Sequence, residues 1–145
     1  MGRYYSGDID GKFWFAVQCS TAADRFGSTG TEPNYLDYYF DEEDIGSIEK
    51  ELKKMEEENG FIFQELDVFF ERNNGYNDFQ IIDFLIGRGN PQIIHIRGEF
   101  PKKEAEERCL ALVKVWLREY ADKKLGEEIF DCVNTNGSCS FQAEL

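Results

Sequence analysis

The chain has 145 residues, 41% of them hydrophobic and 15% aromatic, enough apolar mass to bury a core. It carries 29 acidic and 16 basic side chains, a formal charge of −13. That balance excludes a direct grip on nucleic acid, which needs clustered cations, and no apolar run is long enough to cross a membrane.

Residues 3–17 read as a hairpin. Tyr4-Tyr5 and Phe13-Trp14-Phe15 supply β-favouring side chains, and Asp10-Gly11 supplies the turn. Ser20 or Thr21 caps a short helix that Gly27 ends, and residues 28–34 have loop composition. Tyr35 to Phe40 is the next strand. Asp41-Glu42-Glu43-Asp44 then leads into a helix to about Glu58, capped by Asp44, with Ile45, Ile48, Leu52 and Met55 on one apolar stripe. Asn59-Gly60 ends that helix, and a second, with Ile62, Leu66, Phe69 and Phe70 on one face, runs from Phe61 to Arg72.

Asn77 or Asp78 can cap a third helix through Leu85, although residues 79–86 also suit a buried strand. Gln92 to Arg97 reads as a strand, with His95 and Arg97 on one side. Pro101 fits the first position of the clearest amphipathic helix, whose stripe is Ala105, Cys109, Leu112, Trp116 and Tyr120. Gly126 breaks it, and a short helix carries Ile129, Cys132 and Val133. After a turn at 134–137, Cys139, Phe141, Ala143 and Leu145 alternate with polar residues as a strand. The economical architecture is a single α+β domain over 1–145: a mainly antiparallel sheet of about four or five strands covered by helices.

No segment at the N-terminus has the basic-then-apolar order of a secretory leader, so the expected setting is cytoplasmic and reducing. Cys19, Cys109, Cys132 and Cys139 are then free thiols, with Cys109 and Cys132 on apolar helix faces as small hydrophobes. His95 is the one histidine, so a zinc centre or a nucleophile–base arrangement has little to draw on. The Asp8-Ile9-Asp10-Gly11 segment fails as a calcium loop, because Val17 stands where a bidentate Glu is required. Gly87-Arg88-Gly89 lacks the rest of a phosphate-binding fingerprint. Paired carboxylates at Asp37 and Asp41, and an aromatic platform of Tyr4, Tyr5, Trp14, Tyr38 and Tyr39, are weak signals in so acidic and aromatic a chain. No catalytic residue, metal or cofactor is assigned, and the chain reads as a non-enzyme.

The charge is uneven. Residues 1–60 hold 14 acids against 6 bases. Nine acids crowd residues 41–58: Asp41, Glu42, Glu43, Asp44, Glu49, Glu51, Glu56, Glu57 and Glu58, against Lys50, Lys53 and Lys54. Acids before a helix suit its dipole, but Glu56 to Glu58 lie at the end that favours cations. Eighteen helical residues span about 27 Å, and nine carboxylates over that length approach the ~3.4 Å phosphate spacing of one DNA strand. The favoured expectation is an acidic interaction module or inhibitor on a basic, nucleic-acid-binding protein, with phosphate mimicry as one form. A small enzyme or ligand-binding domain around His95, Arg97 and Trp14 is the first alternative. An assembly subunit with an apolar patch on the Trp116 helix is the second.

Overall fold

A computed structural model describes residues 3–30 and 35–145; the loop expected at 28–34 therefore lies partly outside the described residues. Among the described residues the fold is α+β, a four-stranded antiparallel sheet with four α-helices, two of them long. The strands are β1 (Tyr4–Gly7), β2 (Gly11–Lys12), β3 (Tyr35–Asp41) and β4 (Ser138–Glu144), in the order β2-β1-β4-β3. The helices are α1 (Ile45–Arg72), α2 (Asp78–Gly87), α3 (Pro91–Glu99) and α4 (Lys102–Asn136). Contacts divide the chain into two compact units, Met1–Glu58 with Arg118–Leu145, and Asn59–Leu117.

The first unit holds the sheet. The C-terminal strand is central, pairing with β1 through Tyr5↔Ala143 and Gly7↔Phe141 and with β3 through Tyr38↔Phe141. Alternation places Tyr5, Leu36, Tyr38, Phe40, Cys139, Phe141 and Ala143 in the core. Phe141 stacks between neighbours, 5.3 Å from the Tyr38 ring and 6.2 Å from Phe40. The opposite face leaves Tyr4, Tyr35 and Tyr39 exposed, and Leu145, expected on the core face, is exposed as well.

Only the first part of the 3–17 hairpin is strand. Trp14–Ala16 forms a 3-10 turn, because Phe15 takes a left-handed backbone (φ 59°) that cannot stay extended. The Trp14 N–H turns toward Gln18 Oε1 at 3.4 Å.

In place of two helices broken at Asn59-Gly60, α1 is continuous over 28 residues. Ile48, Met55, Ile62 and Phe69 are spaced by sevens and all buried, so the apolar stripe runs through the glycine in register. A cost of about 1 kcal/mol for Gly in a helix does not interrupt that burial. Asp41, not Asp44, caps the entry. Its side chain accepts from the Glu43 N–H at 2.9 Å, and Asp44 accepts from the Asp41 N–H at 2.9 Å.

Gly126 likewise lies inside α4, which runs unbroken over 35 residues. The glycine is there for space: a Cβ would clash with Phe26 Cε1 and fall 2.6 Å from Phe26 Cζ and 3.0 Å from Leu52 Cδ2. Alanine improves helix propensity by about 1 kcal/mol, but overpacking a fully buried ring costs about 1–3 kcal/mol. Gly126→Ala is expected to lose about 1 kcal/mol net, seen as a lower denaturant midpoint at unchanged slope. A second change, Phe26→Leu, should restore part of it.

The second unit contains α2, α3 and the adjoining parts of the long helices. Residues 79–86 are helical, with a capping box between Asn77 and Gln80. The expected strand at 92–97 is α3: Asn90 accepts from the Ile93 N–H at 3.0 Å, and Pro91 occupies the first turn. Cap and proline outweigh the β-branched Ile93, Ile94 and Ile96, of which only Ile93 is fully buried. No described helix is long and apolar enough to cross a membrane.

Candidate functional site

The acidic segment begins at the end of β3. Asp41 and Asp44 are used in the cap, while Glu42 and Glu43 point to solvent. Along α1 a seven-residue spacing is two turns, so Glu49 stacks with Glu56 on one flank and Glu51 with Glu58 on another. Two residues apart is about 200° around a helix, so these flanks are nearly opposite. Lys50, Lys53, Lys54 and Glu57 occupy the outward face between them, opposite the buried Ile48 and Met55. The nine carboxylates do not form one line at phosphate spacing.

Glu51 is also engaged inside the unit. Arg25, carried by the 3-10 turn Ala22–Phe26, donates to Glu51 at 2.9–3.0 Å and to Asp122 at 2.8 Å, and lies 3.2 Å from Glu119. Asp122 is buried and also accepts from Gln18 Nε2 at 3.0 Å, and Gln18 in turn accepts from the Tyr5 hydroxyl. Burial pushes the Asp122 carboxyl above its ordinary range, against the lowering effect of Gln18 and Arg25. Six of the nine, Glu42, Glu43, Glu49, Glu56, Glu57 and Glu58, are exposed and make no ion pair among the described residues.

Beside α1 the first unit has an open groove of about 630 Å³, lined by Arg25, Lys50, Lys53 and Lys54 together with Asp24, Glu51 and Glu57. Its walls carry both signs, which offers neither a purely anionic nor a purely cationic ligand a matched surface.

His95 and Arg97 do not converge. His95 is exposed on α3 and pairs with Glu99 one turn on. Arg97 lines a cleft of about 380 Å³ in the second unit, from which His95 is absent. Phe79, Ile82, Phe100 and Ala105 make its apolar part, and Arg97, Lys102, Asp83 and Glu106 supply charge of both signs. Burial pushes the Cys109 thiol on its wall upward, so the thiol is a poor nucleophile there. Asp83, Lys102 and Glu106 escaped sequence reading because they reach the cleft from two helices, while the helix carrying Arg97 looked like a strand.

Trp14 belongs to the first unit and is half-buried, 5.9 Å from the Tyr5 ring. The aromatic platform is divided by strand alternation, with Tyr5 and Tyr38 inside and Tyr4 and Tyr39 outside. Asp37 accepts from Gln142 Nε2 at 2.7 Å, and Asp41 is committed to its cap, so they do not act as a carboxylate pair. Trp116 is buried with Phe61 edge-on above it; of its near neighbours on α4, Val115 is the large apolar side chain left exposed. No family profile, curated protein or solved structure matches the chain.

Proposed function

We propose that the chain is an acidic interaction module that engages a basic protein surface. The observation that carries this reading is the set of six exposed carboxylates between Glu42 and Glu58 that make no ion pair among the described residues, in a chain of net charge −13. A surface of this sign accelerates encounter with a cationic partner and weakens its hold as salt rises. The helix distributes the charge to two flanks, so a partner supplies cations on both sides of α1 and does not read a single phosphate-like row. Nucleic-acid-binding proteins are the class that most often offers such cations.

The test is capture of partners from the native host at low salt and elution at high salt, followed by titration of the purified basic partner. Changing Glu56, Glu57 and Glu58 together to Gln removes three exposed charges. At about 0.5 kcal/mol each, affinity should fall roughly tenfold, with a shallower salt dependence. Unchanged affinity and salt slope overturn the reading. A second reading, small-molecule binding in the Arg97 cleft, is favoured by the apolar floor beside charges of both signs, which suits an amphipathic zwitterion.

A further inference from the structure

At the C-terminal end of α4 the chain turns back into β4, and the turn brings two cysteines together. Gly137 takes the left-handed conformation (φ +83°), and its N–H donates to Val133 O at 2.7 Å, so helix becomes strand within one residue. Cys132 on the last turns of α4 and Cys139 at the start of β4 then face one another. Asp8, just past β1, joins them: one sulfur from each cysteine and one carboxylate oxygen lie within 4.8 Å of each other. Among the described residues this is the one group of three or more metal-ligating side chains so placed.

The carboxylate is held in position. The Asp8 N–H donates to Ser140 O, and Asp8 Oδ2 accepts from the Ser140 N–H, both at 2.8 Å. Asn136 Nδ2 donates toward Cys132 Sγ at 3.7 Å. These are the contacts that orient a ligand set from outside. The cluster is graded from buried Cys139 through half-buried Cys132 to exposed Asp8, so it opens to solvent on the carboxylate side.

We propose that Cys132, Cys139 and Asp8 form a binding site for a thiophilic divalent cation, of which Zn²⁺ is the representative. Tetrahedral zinc with bonds of about 2.3 Å to sulfur and 2.0–2.2 Å to oxygen holds its ligand atoms about 3.5 Å apart. With all three ligand atoms within 4.8 Å of one another, each separation has to close by no more than about 1.3 Å to reach it. Two thiols become thiolates on binding and release two protons, and the carboxylate enters ionised. Three protein ligands leave the fourth position to water from the open side. Two sulfurs select against Mg²⁺ and Ca²⁺, which take oxygen ligands. Sequence spacing conceals this site, because the cysteines are separated by six residues and Asp8 is at the other end of the chain.

The test is titration of the reduced full chain with Co²⁺. One equivalent should produce tetrahedral d–d absorption with a thiolate-to-cobalt charge-transfer band, and Zn²⁺ should erase both. Cys132→Ser, at a half-buried position, should abolish the two-sulfur band, whereas Cys19→Ser, at an exposed one, should leave it intact. Asp8→Asn should keep sulfur charge transfer but weaken binding beyond the roughly 10–100-fold that outer contacts cost. Absence of the band in a chain that circular dichroism shows to be folded overturns the proposal. So does a band that survives Cys132→Ser, one lost in Cys19→Ser, or unchanged affinity in Asp8→Asn.

Discussion

Arg25→Ala should lower stability by about 3 kcal/mol, the cost of leaving a largely buried charge without its partner. For a chain of this size that corresponds to a fall of about 10 °C in Tm. One guanidinium serves Glu51, Glu119 and Asp122, and Asp122 is connected through Gln18 to the Tyr5 hydroxyl. The network thereby links β1, the 18–26 segment, α1 and α4 within one unit. Removing the cation leaves three carboxylates facing one another with part of their surface out of water. Arg25→Lys keeps a charge but not the planar fork that reaches several acceptors, so it should recover only part of the loss.

The pH dependence of that variant distinguishes charge from lost packing. A carboxyl whose pKa is raised on folding binds its proton more tightly in the folded state. Its ionisation then opposes folding; the penalty is full above the folded pKa and fades as pH falls toward the unfolded value, about 3.9. Asp122 is raised by burial even with Arg25 present. Without Arg25 it rises further, so Arg25→Ala should regain more stability than the parent chain as pH is lowered from 7 to about 5. Melting curves across that interval check this; parallel curves for the two proteins would assign the loss to packing.

Strand alternation made the sheet legible. The tail from Cys139 to Ala143 and the run from Leu36 to Phe40 each have apolar residues at every second position, and both are strands with those residues buried. Helical period was legible too, but its punctuation misled. Asn59-Gly60 and Gly126 look like stops, yet both lie inside helices, because burial of an in-register stripe at one and close approach of Phe26 at the other outweigh the local preference. At 92–97 the error was reversed: β-branched residues suggested a strand, while the Asn90 cap and Pro91 start a helix. The Asn90–Pro91 start signal outweighs the strand preference of the three β-branched residues Ile93, Ile94 and Ile96.

The candidate sites were legible in proportion to how local they are. Each carboxylate from Asp41 to Glu58 could be named from the sequence, and the helical period already separates Glu49 and Glu56 from Glu51 and Glu58. Arg25 as the partner of Glu51 could not be found, because the two are 26 positions apart and the chain between them must fold to bring them together. The Arg97 cleft and the Asp8 cluster are likewise products of tertiary structure.

Gly7→Ala is expected to be at least as damaging as loss of Arg25, about 3 kcal/mol or more, and its comparison with Gly11→Ala separates two causes. Both glycines have strongly positive φ, +119° and +124°, a region that strains any residue with a Cβ. That strain costs about 1–3 kcal/mol. At Gly11 a Cβ meets nothing within 4 Å, so Gly11→Ala should show strain alone. At Gly7 it falls 2.7 Å from Ser140 O and 2.8 Å from Phe141 Cα, backbone atoms of the central strand that cannot rotate away. Relief requires β1 to move off β4, which breaks the Gly7↔Phe141 pairing and the two Asp8–Ser140 hydrogen bonds. The excess loss in Gly7→Ala over Gly11→Ala, read from denaturant midpoints, therefore reports the docking of β1 on β4. Hydrogen exchange should localise it to the amides of Asp8 and Ser140, which bond across the β1–β4 seam. Equal losses in the two variants would mean that backbone strain accounts for both and that β1 is free to shift.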